Sequence, residues 1–283
     1  MTSQRSAAPL WWVRKDQMLT VTRMELAKNF FSRRGLWIYL LAFAPVLVIG
    51  LHAMESLNRP GRFNLQDETT AMAFIFQVYY MRLGVFFGCM GIFTWLFRGE
   101  VIQRSLHYYF LAPMRREILV AGKFLAGAIT AVILFGVGVL VSFFTIYAHL
   151  GDPGIRFITQ GPGLGHVLTY LAVTALAVIG YGSMFLALSL VFKNPIIPAA
   201  IMLGWETISA VLPAFLQKLS ITFYLKMLVP VSVPGEGLLS LFTVVTDPVS
   251  PWLAVPGLLV LSAAVFCFAC IKIRRLEISY SSE

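Results

Sequence analysis

Two ionisable side chains sit in sequence that is otherwise apolar. Arg82 lies near the middle of the run Met72–Phe97, and Glu206 near the middle of the run Ile196–Gln217. A lone charge at the centre of a membrane helix costs about 2.5–3.5 kcal/mol on insertion scales. The two are opposite in sign and similar in depth, so either a direct ion pair or a shared wet cavity answers the cost. A buried pair adds little net stability. Its uses are a pin between two helices, a substrate contact, or a gate that breaks during transport. If the two pair directly, reversing both charges should restore what either single reversal removes. The second concentration of chemistry is "FRGEVIQRSLHYYFLAPMRREILVAGKF", Phe97–Phe124. It carries five Lys/Arg, two Glu, a His and a Pro, with Tyr108, Tyr109, Phe110 and Leu111 in a row.

Several chemistries lack their residues. There is no H-E-x-x-H and no G-x-S-x-G. "AGKF" has Gly-Lys but neither the following Ser/Thr nor the upstream Gly of a P-loop, so this chain should not hydrolyse ATP itself. His52, His149 and His166 stand at the ends of apolar runs, and no metal-ligand spacing links them, which reads as interfacial placement. Cys89, Cys267 and Cys270 lie inside apolar runs and imply no disulfide framework. "CFAC" has redox spacing without polar neighbours, so packing is its expected role. A polytopic lipid-modifying enzyme would need more convergent groups than Arg82 and Glu206. An ion-coupled secondary transporter with Glu206 as proton carrier is the other alternative, although no inverted repeat is evident.

The elements that must position these residues follow from composition. The chain has 283 residues, 58% hydrophobic and 12% charged, with a mean hydropathy of +0.80. A soluble domain is nearer a quarter charged, so lipid is the solvent here. The net charge of +9 reads as a basic membrane face and not as a nucleic-acid surface. A span needs about 20 apolar residues. Six runs qualify: Leu36–Met54, Met72–Phe97, Phe124–His149, His166–Phe192, Ile196–Gln217 and Trp252–Ile271. Six spans put both termini on one side. That side collects sixteen of the 22 Lys/Arg and the other five, with Arg82 inside a span. The thirteen Asp/Glu divide evenly, with Glu206 in a span. Positive residues stay inside, so the termini and Phe97–Phe124 are expected in the cytoplasm of a multi-pass cell-membrane protein. The first apolar run is too long for a signal peptide and should remain as an anchor.

Before the first span, Met18, Val21, Met24, Ala27 and Phe31 recur every three or four residues with Arg14, Arg23 and Lys28 between them. This predicts an amphipathic helix lying in the interface, with Trp11 and Trp12 at headgroup depth. "FKNPII" joins the fourth and fifth spans as a tight hairpin, Pro195 opening the next helix. Between the last two spans an apolar loop is broken by Pro230, Pro234, Gly235 and Gly237. Its halves are too short to span, so each is expected to dip back from the outer side and cap something there. Gly84 and Gly88 form a G-x-x-x-G that permits close helix approach. The reading is a single transmembrane domain over 1–283. It has a cytoplasmic N-terminal helix in 1–35, a six-span region over 36–271 and a cytoplasmic tail over 272–283. Its fold class is an all-α membrane protein.

This layout resembles the type 2, exporter-class ABC transporter permeases over nearly the whole chain. The motif-level likeness lies in the charged segment. It has an acidic residue after the second span (Glu100), a small hydroxyl with Leu (Ser105-Leu106), "FLAPMRR", and Gly122-Lys123 opening the third span. Ser105 stands where Thr is more usual, and "HYYF" is more aromatic than the common pattern. The resemblance implies that Phe97–Phe124 is a cytoplasmic coupling helix docking on a separate ATPase subunit, with ATP and Mg held by that partner and no cofactor by this chain. Glu100, Arg104, Tyr108, Tyr109, Pro113, Arg115 and Arg116 are then the candidates for coupling. Among them Arg104, Arg115 and Arg116 suit partner carboxylates or lipid phosphates, and the aromatics suit an interface anchor. Glu100 is also placed to pair with the N-terminal helix. The resemblance further implies a dimer, of two copies or of one copy and a paralogue. The second and fifth spans, carrying Arg82 and Glu206, would line its path. Lipids, drugs, peptides and glycans all fit as cargo.

Overall fold

A computed structural model describes residues 10–31, 35–58, 64–111, 113–192, 194–231, 233 and 250–275. The elements run α1 (Leu10–Phe31), α2 (Gly35–Asn58), α3 (Leu65–Phe74), a π-helical stretch (Ile75–Gly84), α4 (Val85–Ile102), α5 (Leu106–Leu111), α6 (Arg116–Ala148), α7 (Asp152–Thr159), α8 (Gly163–Val191) and α9 (Ile196–Ile208). A 3-10 turn (Ser209–Val211), α10 (Ala214–Gln217), α11 (Ile221–Lys226) and α12 (Pro251–Arg274) follow. No strand occurs among the described residues. Pro234, Gly235, Gly237 and the tail beyond Arg275 lie outside them.

Five helices are long and apolar enough to cross a membrane: Gly35–Glu55, Leu65–Ile102, Arg116–Ala148, Gly163–Val191 and Pro251–Arg274. The second and third have 38 and 33 residues. At about 1.5 Å per residue they overshoot a hydrocarbon core of ~30 Å. Their ends therefore stand in the interface or beyond it. The fifth expected span, Ile196–Gln217, is not one helix. It runs only from Ile196 to Ile208, then breaks through the 3-10 turn. Pro213 accounts for the break, because it has no N–H to continue the ladder and its ring clashes with the carbonyl four residues back. Apolar composition continues across that proline, which is why the run reads as one span.

Helix α8 is central, packed against α4, α6 and α12. Aromatic rings seated in glycine notches hold this core. A Cβ on Gly88 would meet the Phe135 ring at 2.2 Å, and one on Gly182 would meet Phe93 at 2.5 Å. Gly88 thus receives an aromatic side chain from α6, and Gly84 lies beside the same ring. Helix α2 contains Pro45, which cannot bond the Leu41 carbonyl; the Tyr79 hydroxyl donates to that carbonyl at 2.9 Å. Next to it, the Tyr80 hydroxyl bridges the Ala42 carbonyl at 3.1 Å and Ser142 Oγ at 2.8 Å.

Helix α1 does not use the face its apolar spacing marks out. Val21, Thr22 and Glu25 are buried, whereas Met24 and Phe31 are exposed. The buried face lies against α6, and Met24 and Phe31 point away from it. The side chains of Trp11 and Trp12 lie outside the described residues.

Candidate functional site

The start of α6 brings the charged segment together. Gly122 has no side chain because α1 passes over it: a Cβ there would stand 2.9 Å from the Val21 Cβ and 3.0 Å from the Met18 carbonyl. The Thr22 hydroxyl bonds the Met18 carbonyl at 2.8 Å and reaches the Gly122 carbonyl at 3.1 Å. This approach places Glu25 over Lys123, one residue further along α6. The Lys123 Nζ donates to Glu25 Oε1 and to Glu100 Oε1, at 2.7 Å each. The Lys123 side chain is 0% exposed, against 4% for Glu25 and 8% for Glu100. Its remaining donor direction is filled by rings, the Tyr109 centroid at 4.9 Å and the Phe97 centroid at 5.5 Å.

Lys28 closes the cluster from its exposed side. Its Nζ lies 3.2 Å from Glu25 Oε1 and 3.6 Å from Glu100 Oε1, and it donates to the Tyr109 hydroxyl at 3.0 Å. That hydroxyl donates in turn to Glu25 Oε1 at 3.2 Å. Two carboxylates thus meet two ammonium groups, and four elements (α1, α4, α5, α6) meet at one neutral knot. Burial opposes the Glu25 carboxylate, but the charge and hydrogen bond of Lys123, and then Lys28, hold it below the ordinary carboxylate range. Burial also opposes the Lys28 ammonium, yet the Tyr109 hydroxyl and then Glu25 raise it above the ordinary lysine range. Burial pushes the Tyr109 phenol up to about 12.

The residues singled out in the sequence divide by direction. Glu100 and Tyr109 face inward and hold the segment in place. Tyr108 is 68% exposed, and Arg104, Leu111, Pro113 and Arg115 share the exposed surface. Arg104 has φ +55°. Its N–H bonds the Val101 carbonyl at 3.1 Å and the Ser105 N–H bonds the Glu100 carbonyl at 2.9 Å, the paired bonds of a Schellman helix end. The chain therefore turns sharply out of α4 into α5. The Pro113 carbonyl accepts from Gln17 Nε2 at 3.2 Å. Arg116 stacks over the Phe110 ring at 4.2 Å and donates to the Ile273 and Arg274 carbonyls at 3.2 Å. Arg274 meets Glu117. The end of α12 is thereby tied to the start of α6.

Arg82 and Glu206 are not joined. Glu206 is buried, and both its oxygens serve the start of α11. Oε2 accepts from Ser220 Oγ at 2.6 Å and the Thr222 N–H at 2.9 Å, and Oε1 from the Ile221 N–H at 3.0 Å. These are donors that a helix start leaves unpaired, so the carboxylate caps a short helix after the break at Pro213. Arg82 lies in the π-helical stretch, and among the described residues it forms no ion pair. Its neighbour Gln77 donates to the Val231 carbonyl at 2.7 Å, bringing the loop after α11 against the same stretch.

Lys123 and Glu25 belong to the site; the sequence marks Lys123 only as part of the Gly122-Lys123 pair opening the third span, and does not mark Glu25. Their signals were available: Glu25 follows Val21 and Thr22 on one helical face, and Lys123 precedes a long apolar helix that would otherwise bury a lone cation. Glu100 does approach the N-terminal helix through Lys28, although its closer partner is Lys123. No protein-family model matches the chain, and no curated protein matches it.

Proposed function

We propose that this chain is the membrane-spanning permease subunit of an ATP-driven ABC exporter. It would work as a dimer, with itself or a paralogue, coupled to separate cytoplasmic ATPase subunits that hold ATP and Mg. The observation that carries the reading is the neutral knot around Lys123. It fastens a short exposed helix, α5, to the ends of two long apolar helices and to the interfacial helix α1. Such a unit has the mechanical property a coupling element requires. A push on Tyr108 and its neighbours moves α4 and α6 together, without first bending a loop.

In this reading the Lys123 end faces the cytoplasm, the bilayer is the cell membrane, and the packed layer of α4, α6 and α8 carries motion across it. Helix α9 lines the path, and the segment from α10 to α11, held by Glu206, begins its outer cap. Glu206 as a mobile proton carrier is less well supported, since three donors already hold its carboxylate. The test is purification of the full chain from membranes that contain an ABC ATPase encoded nearby. Association, and ATP hydrolysis stimulated by the chain, are expected; failure to associate with any nucleotide-binding subunit contradicts the proposal.

A further inference from the structure

A second cluster lies at the opposite end of α6. His149 ends that helix, 26 positions beyond Lys123, which is about 40 Å along a helix axis. His52 comes from the last turns of α2 and Glu68 from the first turn of α3. The three meet although nothing in their sequence spacing links them. Glu68 Oε1 lies 2.9 Å from His52 Nε2 and 3.3 Å from His149 Nε2. All three ligand atoms fall within 4.8 Å of one another. The rings stand edge to face with centroids 5.7 Å apart, and both Nε2 atoms lie beside the same carboxylate oxygen.

Burial makes the arrangement specific. Glu68 and His149 are 1% and 4% exposed, while His52 at 34% leaves one way in. Glu68 Oε2 is buried with no hydrogen-bond partner among the described residues. A buried carboxylate with a spare oxygen lacks part of its compensation. A divalent cation supplies what is missing: it takes the carboxylate and the Nε2 lone pairs of two neutral imidazoles, each with its single proton on Nδ1. Two imidazoles and one carboxylate suit zinc-class ions rather than magnesium or calcium, which prefer oxygen alone. Ligands about 2.0–2.1 Å from zinc in a tetrahedron stand roughly 3.3 Å apart. The two contacts at 2.9 and 3.3 Å lie at or just below that spacing, so small outward shifts of the two imidazoles admit the ion.

We infer that His52, Glu68 and His149 form a binding site for one zinc-class divalent cation, with a fourth position open to water through the His52 side. Occupancy clamps the end of α2 to α3 and α6. If the Lys123 end is cytoplasmic, this site faces outward, where it would sense or require external cation; the site itself does not depend on that orientation. The experiment uses tag-free full chain in nanodiscs, stripped with chelator and titrated with Zn2+ and, separately, with Co2+. One Zn2+ per chain is expected, together with the intense visible absorption of four-coordinate Co2+ and a rise in Tm. Outer-shell partners alone are typically worth 10–100-fold in metal affinity, so losing a direct ligand in His52→Ala or Glu68→Gln should weaken binding at least a hundredfold. His52 is partly exposed, so H52A keeps the test valid if E68Q does not fold. Absence of stoichiometric uptake, or uptake unchanged in H52A, overturns the inference.

Discussion

Lys123 on α6 and Glu25 on α1 meet at 2.7 Å across 98 positions of sequence. That contact ties α1 to the long apolar helix α6. Removing one partner of a buried ion pair typically costs about 3–5 kcal/mol, because the other charge is left uncompensated. Lys123→Met leaves two carboxylates facing each other and should lose about that much. Lys28→Ala, whose side chain is 53% exposed, should lose no more than about 1 kcal/mol. Chemical denaturation in detergent measures both. Equal losses would show that Lys123 is not the centre of the cluster.

Gly122 predicts a steric counterpart. A side chain there meets backbone and Cβ atoms of α1 at about 3 Å, which no flexible neighbour can relieve. Gly122→Val should undock α1 and raise hydrogen exchange across Leu10–Phe31 while α8 stays protected. Gly165→Ala is the control, since nothing lies within 4 Å of it. It should be neutral or stabilise by up to about 1 kcal/mol, the ordinary gain of Ala over Gly in a helix.

The docking of α1 carries a pH signature. Glu25 titrates below its ordinary range in the folded protein. Its contribution is therefore complete above the unfolded carboxylate pKa of ~4.3 and is lost as pH falls through the lower folded value. Lys28 titrates above its ordinary range. Its contribution is complete below ~10.4 and is lost as pH rises through the higher folded value. Protease sensitivity of α1 should rise in acid as Glu25 is protonated and rise again in strong base as Lys28 loses its proton. Sensitivity unchanged at both extremes would contradict this assignment.

Glu206 gives a prediction opposite to the one an ion pair would give. Its carboxylate holds Ser220 and two backbone N–H groups. Glu206→Ala should cost about 1–3 kcal/mol through stranded buried donors and loosen α11. Glu206→Gln, which keeps one acceptor oxygen, should cost less. Arg82→Glu combined with Glu206→Arg should be no better than E206R alone, in stability or transport. Rescue by the double reversal would restore the direct pair.

The parts of this molecule legible in sequence are those set by bulk hydropathy. The spans containing Ile49, Phe86, Phe135, Phe185 and Leu258 follow from apolar length alone. Helix α9 was overextended because hydropathy does not register that Pro213 removes a donor. The site was half legible. Glu100 and Tyr109 stand out as unusual residues in a charged segment, but Lys123 shows only as half of a Gly-Lys pair, with no sign of its partners. Only the packing of Gly122 beneath Val21 shows why that lysine is buried. His52, Glu68 and His149 come from three separate helix ends, and no local spacing can bring them together.

Arg104 separates fold from docking. It occupies a left-handed position that favours glycine, so Arg104→Gly should preserve or raise stability. If the exposed surface around Tyr108 docks on an ATPase, the same variant should weaken that association by removing a charge. Affinity unchanged in R104G, with stability unchanged, would remove Arg104 from the interface.

If α5 transmits force from an ATPase through the Lys123 knot, Tyr108 must lie at the contact between the two subunits. The most direct measurement places a photoreactive side chain at Tyr108 and, as a control at the other end of the helices, at Leu164, which is 59% exposed. Irradiation is carried out in intact cells. Crosslinking to an ABC ATPase subunit from position 108, none from 164, and loss of the position-108 product in a Lys123→Met background are expected. Crosslinks to lipid alone from position 108, or an identical pattern from both positions, would contradict a coupling role for α5.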